Sequence, residues 1–319
     1  MIQAIDRAAK ILDLLQGARH LGITDLSSAL GLPPSTVHGI VKSLRAHGLV
    51  AKERGGQRYM LGPTLLRLSN VYLDSLDVRA RSMRWTQELA RRTHLSVRLG
   101  APHFTDVLVI HHNLRPDDSQ QMLETGMAIP AHASAMGKVL LAYDQGFQRT
   151  VFDAPLRSLT GDTVTDVARL TLELPAIAER GMAGEFDEAV LGESSLAAPV
   201  ADASDAIVAA VAVVLPTSQT PASDAVVNAL RETARNISRE LGATSWPPRS
   251  PPPTTEPGAP GSAAQGGHRP ADLSPACLAP GPRDREVLQR RVPARAEPGR
   301  IRRTGEDRDP HVHCQPRPV

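Results

Sequence analysis

Ile5, Ala8, Leu12 and Leu15 recur at the i, i+3, i+7, i+10 spacing that lines one face of an α-helix, and they predict a first helix over about 4–16. A second helix is expected over about 25–30. Thr24 stands as its N-cap ahead of Leu26, Ala29 and Leu30, and Gly31 follows as the left-handed residue that ends a helix. A third begins at Pro34, whose missing amide hydrogen costs nothing in the first turn, and runs to Ala46 or His47, with Gly48 as its stop. On this third helix Val37, Ile40, Val41 and Leu44 share the inward face. Ser35, Thr36, His38, Gly39, Lys42, Ser43 and Arg45 are left outward. Leu49-Val50 and Tyr59-Met60-Leu61 read as short strands around a hairpin tip at 54–58, which makes a wing after three helices.

Residues 64–93 read as one or two further helices, with Leu65, Leu68 and Leu76 apolar and an arginine-rich stretch from Arg79 to Arg92 around Trp85 and Leu89. A connector that also dimerises suits that pattern. From residue 95 the signal alternates. Strands are expected at Ser96–Leu99, Val107–His111, Leu196–Val200 and Ile207–Leu215, and helices at 135–142, 147–152, 167–180 and 222–241, an α+β arrangement. The chain therefore divides into 1–62, a connector at 63–94, a second domain at 95–246 and a tail at 247–319.

Composition sharpens that division. The tail holds 16 of the 27 prolines and no lysine, so it cannot bury enough apolar surface to offset chain entropy. It is expected to be disordered and foreign to the fold. Its arginine clusters, Arg290-Arg291 and Arg300 to Arg303, read as a solvated polyelectrolyte, the alternative being a weak nonspecific affinity for DNA. Lys and Arg exceed Asp and Glu by 4 over 1–62 and by 4 over 247–319, whereas acids exceed bases by 6 over 63–246. A basic head suits phosphate contact through counterion release, and an acidic middle does not. Both cysteines, Cys277 and Cys314, lie in the tail, so the first 246 residues carry no disulfide framework or thiolate metal site, and a cytoplasmic protein is expected. No apolar run is long enough to span a membrane.

A helix that follows a short glycine turn is the element that enters the major groove in helix-turn-helix proteins, with its N-terminal residues nearest the bases. Ser35, Thr36 and His38 would then meet bases or phosphates, and Lys42 and Arg45 would clamp phosphates further along. Arg54 and Arg58 in the wing would reach the backbone or an adjacent minor groove. Any three-helix domain has a polar face; the basic wing tips the reading toward DNA.

Other motifs carry less. Gly137-Lys138 is not a phosphate-binding loop, because His132 stands where that motif needs glycine and Val139 replaces its hydroxyl residue. Lys138 and the backbone amides at this helix start could still attract an anionic effector, the alternative being a plain structural helix start. His111 and His112 are strand neighbours that point to opposite faces and cannot share one ion, so no metal and no cofactor is expected. Glu185, Asp187 and Glu188 form an acidic cluster, but without a nucleophile motif such as G-x-S-x-G the enzyme reading is weak. The alternative to a regulator is a metabolite-binding protein or enzyme whose first domain only mediates association.

Four stretches, in order, carry a family resemblance: Leu32-Pro33-Pro34-Ser35-Thr36-Val37-His38; Tyr59-Met60-Leu61-Gly62; Pro130-Ala131-His132-Ala133-Ser134-Ala135-Met136-Gly137-Lys138-Val139-Leu140-Leu141-Ala142; and Arg180-Gly181-Met182-Ala183 through Ala197-Ala198-Pro199-Val200. Up to about residue 245 the chain resembles the isocitrate-lyase-regulator (IclR) family of bacterial transcription factors. The resemblance implies a winged helix-turn-helix followed by a GAF-like α/β effector-binding domain. It also implies double-stranded operator DNA and a small-molecule effector as partners, with action as a homodimer or dimer of dimers. Position by position, it places Ala135, Met136, Gly137, Lys138, Glu185, Ser195, Ala212 and Val214 around the effector. Relatives that bind small carboxylates carry serines at the positions of Ala212 and Val214, so a 2-oxo acid held by those hydroxyls is not expected here. Tyr72-Leu73-Asp74, Arg79-Ala80-Arg81, Trp85-Thr86 and His111-His112-Asn113-Leu114-Arg115-Pro116-Asp117-Asp118-Ser119 are similar to actinobacterial glycerol operon regulators. That similarity implies a repressor of glycerol uptake and phosphorylation genes, released by glycerol or glycerol 3-phosphate.

Overall fold

The computed structural model describes residues 2–117 and 119–247, which fall into two compact units that divide after Gly62. Apart from Pro247, the tail expected to be disordered lies outside the described residues.

In the first unit, α1 (Gln3–Ala18), α2 (Ile23–Leu30) and α3 (Pro34–Ala46) precede an antiparallel hairpin of β1 (Val50–Lys52) and β2 (Tyr59–Leu61). Their core is Ile11, Leu14, Leu15, Leu26, Val37, Val41, Leu44, Val50 and Tyr59. Two details differ from the sequence reading. The buried stripe of α1 is Ile11, Leu14 and Leu15, whereas Ile5 is exposed and Leu12 half-buried. Apolar residues at 11, 12, 14 and 15 fit two helix phases, and only packing selects one. The N-cap of α2 is Gly22 rather than Thr24, because the Asp25 carboxylate accepts the Gly22 N–H at 2.9 Å and closes the turn two residues earlier. Gly31 and Gly48, at φ +62° and +69°, hold the left-handed conformations that end α2 and follow α3.

The second unit opens with α4 (Thr64–Asp74) and α5 (Asp77–Thr93). The strands β3 (Ser96–His103), β4 (Asp106–Asn113) and β5 (Ala128–Pro130) follow, then α6 (Ala135–Tyr143), α7 (Gln145–Phe152) and α8 (Val167–Arg180). The chain returns to the sheet through β6 (Ala183–Phe186), β7 (Glu193–Ala201) and β8 (Ile207–Pro216), and α9 (Asp224–Glu240) comes last. The six strands form one antiparallel sheet in the order β5-β4-β3-β8-β7-β6. Strands β5 and β6 escape sequence reading because three or four residues are too short to show alternation.

Each face of the sheet has its own core. Leu89 and Ala90 of α5 and Leu230, Ala234 and Ile237 of α9 pack with Val97, Leu99, Val211, Val213 and Leu215. Met136, Val139 and Leu140 of α6 and Leu174 and Ile177 of α8 pack with Ala183, Ala197, Ala210 and Ala212 on the other. Because β8 is covered on both faces, it reads as a continuous apolar run rather than an alternating one. Alanines on the α6 side keep that face shallow. In contrast to α5, α4 buries no side chain, and Leu66, Leu68, Val71 and Tyr72 are all exposed.

Candidate functional site

Two surfaces carry the candidate residues. On α3, burial of Val37, Val41 and Leu44 turns Ser35, His38, Lys42 and Arg45 outward at i, i+3, i+7, i+10, a single exposed polar stripe. Thr36, also read as outward, is half-buried, and Ile40 closes the inner face half-buried. Arg54 and Arg58 are exposed at the hairpin tip. That tip is fixed by the Glu53 N–H donating to the Arg58 carbonyl at 3.0 Å and by Lys52 Nζ donating to Gln57 Oε1 at 2.9 Å. A solvated helix face with a cation at each of its last two turns, preceded by hydroxyl and imidazole groups, can hydrogen-bond to base edges and neutralise phosphates.

The second surface lies between the sheet and the start of α6. Strand register sets Ser96, Val214, Ser195 and Glu185 in one row and Arg98, Ala212, Ala197 and Ala183 in the next, so Glu185, Ser195, Ala212 and Val214 share one face. Above it, α6 begins at Ala135 with Ser134 as N-cap, whose Oγ accepts the Gly137 N–H at 3.0 Å. The cap leaves the amides of Ala135 and Met136 as first-turn donors. Gly137 is required by close approach: a Cβ there would fall 2.0 Å from the Ala131 carbonyl oxygen. Met136 lies over β3, where a Cβ at Gly100 would come 2.9 Å from its sulfur. The structure thus sets Glu185, Ser195, Ala212 and Val214 on the sheet face that α6 packs against, with Ala135, Met136, Gly137 and Lys138 in the first turn of α6.

Electrostatics change the role of one of them. Lys138, expected to attract an anion, is buried and already matched: Nζ donates to Glu188 Oε1 at 2.6 Å and lies 3.4 Å from Glu173 Oε2. An ammonium taken out of water requires such partners, and its charge is spent on them. Glu185 accepts from Ser195 Oγ at 2.8 Å and from the Glu188 N–H at 3.1 Å. Burial raises its carboxyl above the ordinary range, against the lowering effect of those two bonds.

Sequence reasoning missed a polar cluster on the same face. Arg98 forms a bidentate pair with Glu124 of the loop before β5, Nη2 to Oε1 at 2.8 Å and Nε to Oε2. The Glu124 N–H donates to His112 Nδ1 at 3.0 Å, and His112 Nε2 is 2.6 Å from Ser96 Oγ. A neutral His112 therefore carries its hydrogen on Nε2. Nothing local in the sequence joins Arg98 to a carboxylate 26 residues away. His111 turns to the opposite side, beside Arg79 and Asn113.

A helix-turn-helix with a basic wing, joined to a six-stranded sheet that carries polar groups beneath the start of a helix, is the arrangement of a DNA-binding regulator. Residues 70–239 match the family described as bacterial transcriptional regulator IclR C-terminal, and residues 4–54 match the IclR helix-turn-helix domain. The chain is 43% identical over 248 residues to the glycerol operon regulatory protein of Streptomyces griseus, covering 76% of this chain and 97% of that one. It is 41% identical over 247 residues to the protein of the same name from Streptomyces coelicolor, with the same coverage. Among solved structures, a putative IclR regulator from Silicibacter sp. TM1040 superposes with a TM-score of 0.65 at 26% identity, covering 77% of this chain and 99% of that one. The chain belongs to the IclR family, and it is a transcriptional regulator, not an enzyme. Among the described residues no helix is long and apolar enough to cross a membrane.

Proposed function

We propose that this protein represses a glycerol catabolic operon, holding double-stranded operator DNA as a dimer and releasing it when a small effector such as glycerol 3-phosphate occupies the second domain. The observation that carries the DNA role is the exposed stripe of Ser35, His38, Lys42 and Arg45 on α3, flanked by Arg54 and Arg58 in the wing. Ser35, Thr36 and His38 read base edges or adjacent phosphates; Lys42, Arg45, Arg54 and Arg58 neutralise the backbone. Exposed Leu68, Val71 and Tyr72, at i, i+3 and i+4 on one face of α4, support self-association, because an apolar face on a short helix is costly to leave in water. A two-fold dimer sets two α3 helices about 34 Å apart, or a multiple of that, on a palindromic site.

The glycerol assignment rests on the two Streptomyces relatives, each matched over nearly its full length. The effector meets the Ala135 and Met136 amides, Ser195 and Glu185 over the Ala212–Val214 floor, with Gly137 and Lys138 shaping the helix start. Apolar side chains at 212 and 214 offer no hydroxyls to a 2-oxo acid. The test is fluorescence anisotropy of the full-length protein on the duplex upstream of its own gene and neighbouring operon, with and without glycerol 3-phosphate. Salt-dependent, sequence-preferring binding weakened by the metabolite is the expected result. Binding indifferent to it overturns glycerol 3-phosphate as the effector, and absence of sequence preference overturns the operator reading.

A further inference from the structure

Given that this face of the sheet takes the effector, as proposed above, we infer that the Arg98–Glu124 pair is its specificity element and that it selects a small molecule carrying a vicinal diol. Arg98 leaves β3 directly opposite Ala212, and its Nη2 lies 3.7 Å from Glu193 Oε2 on β7, two strands away. The guanidinium therefore extends across β8, an approach that the short side chains of Ala212 and Val214 permit. The Arg98 and Glu124 side chains are 14% and 19% exposed, so both groups are largely withdrawn from water without being sealed off from it. The His112 bond to the Glu124 N–H ties that residue's backbone to β4 and positions the carboxylate.

Charge balance on this face decides the ligand class. Its cations are Arg98, Lys138 and Arg169, the last 4.0 Å from Glu173; its carboxyl groups are Glu124, Glu193, Glu185, Glu188 and Glu173. Lys138 and Arg169 are committed to Glu188 and Glu173, which leaves one guanidinium among three carboxyl groups. A ligand whose only polar group is an anion meets net repulsion here, whereas hydroxyls supply the hydrogen-bond donors that carboxylates lack. Each carboxylate has about four lone-pair sites and a guanidinium five donors, so the pair retains capacity beyond its mutual bonds. Two adjacent hydroxyls can donate to Glu124 while accepting from Arg98 with a single torsion between them to hold; hydroxyls on alternate carbons must immobilise one more rotatable bond to present the same pair, which costs affinity. Glycerol and glycerol 3-phosphate share such a diol.

The experiment is isothermal titration of the full-length protein with glycerol, glycerol 3-phosphate, 1,2-propanediol, 1,3-propanediol, pyruvate and inorganic phosphate, paired with operator anisotropy. The vicinal diols are expected to bind at least about tenfold more tightly than 1,3-propanediol, pyruvate or phosphate, the worth of one buried hydrogen bond. Glycerol and glycerol 3-phosphate should lie within about tenfold of each other. Glu124→Gln, nearly isosteric, should weaken glycerol about tenfold while operator affinity without effector stays within about twofold. Arg98→Met should do the same, with a thermal melt to show that it folds. Unchanged glycerol affinity in Glu124→Gln, equal binding of phosphate or pyruvate, or a response to glycerol 3-phosphate with glycerol inert overturns the inference while leaving the proposed function standing. If none of the compounds binds the wild-type protein, the effector-site reading is wrong and the inference falls with it.

Discussion

Lys138 Nζ donates to Glu188 Oε1 across 2.6 Å with both side chains buried, which ties the first turn of α6 to the loop after β6. Removal of one partner from such a pair leaves the other charge uncompensated, whereas replacing both with apolar groups removes the problem. Lys138→Met should therefore cost about 3 kcal/mol. The double variant Lys138→Met, Glu188→Leu should recover most of it. Urea denaturation measures both, and a loss below about 1 kcal/mol in the single variant contradicts the geometry.

The start of α6 is held equally closely by sterics. Gly137→Ala puts a methyl carbon 2.0 Å from the Ala131 carbonyl oxygen, and forcing the backbones apart should cost roughly 1–3 kcal/mol or more. Ser134→Ala only removes the cap on the Gly137 N–H, at about 1 kcal/mol. Thermal melts should rank Gly137→Ala as the more damaging; the reverse order would place the helix start elsewhere.

Lys42→Ala and Arg45→Ala act on DNA rather than on folding, because both side chains are exposed on α3. Each should weaken binding to all duplexes alike and reduce the slope of log K against log salt by about one. Anisotropy over a salt series is the measurement. Relaxed preference at a single base pair would make that residue a base reader instead.

Stability should fall with acidification. His111, His112 and His132 are all held below the ordinary imidazole value of 6.5, in each case first by burial. Arg79 and His112 add to the shift at His111, Glu124 opposes it and Arg98 adds to it at His112, and the bond to the Arg157 carbonyl opposes it at His132. The folded protein then binds fewer protons than the unfolded chain just below pH 6.5. The stabilisation is complete above 6.5 and is lost as pH drops through the folded-state values. Glu185, raised from 4.5, works oppositely: its share is present below 4.5 and lost as pH rises through its folded value. Urea midpoints at pH 7.5 and 5.5 should differ in wild type and differ by less in His132→Asn, where His111 and His112 still contribute. A flat wild-type profile would contradict the burial effect.

The first domain was largely legible because its signals are local. Pro34, Gly31 and Gly48 bracket two helices by backbone preference alone, and the outward stripe of α3 follows once Val37, Val41 and Leu44 are assigned to the core. Where a local signal was degenerate, reading failed: Ile5 belonged to the wrong phase of α1, and Thr24 lost the cap to Gly22 because a carboxylate three residues on reached back.

In the second domain the sequence by itself determined which segments are apolar and where most strands and helices lie. Tertiary structure alone decided which groups meet on each face of the sheet. Strand register, not sequence distance, sets Arg98 against Ala212 and brings Glu124 to the guanidinium. Folding of the loop after β6 delivers Glu188 to Lys138 and so cancels the one cation the motif offered. The reason is physical: helix caps and periodicities are fixed by neighbours within a turn, but a buried charge takes its meaning from whichever opposite charge the fold carries to within about 4 Å.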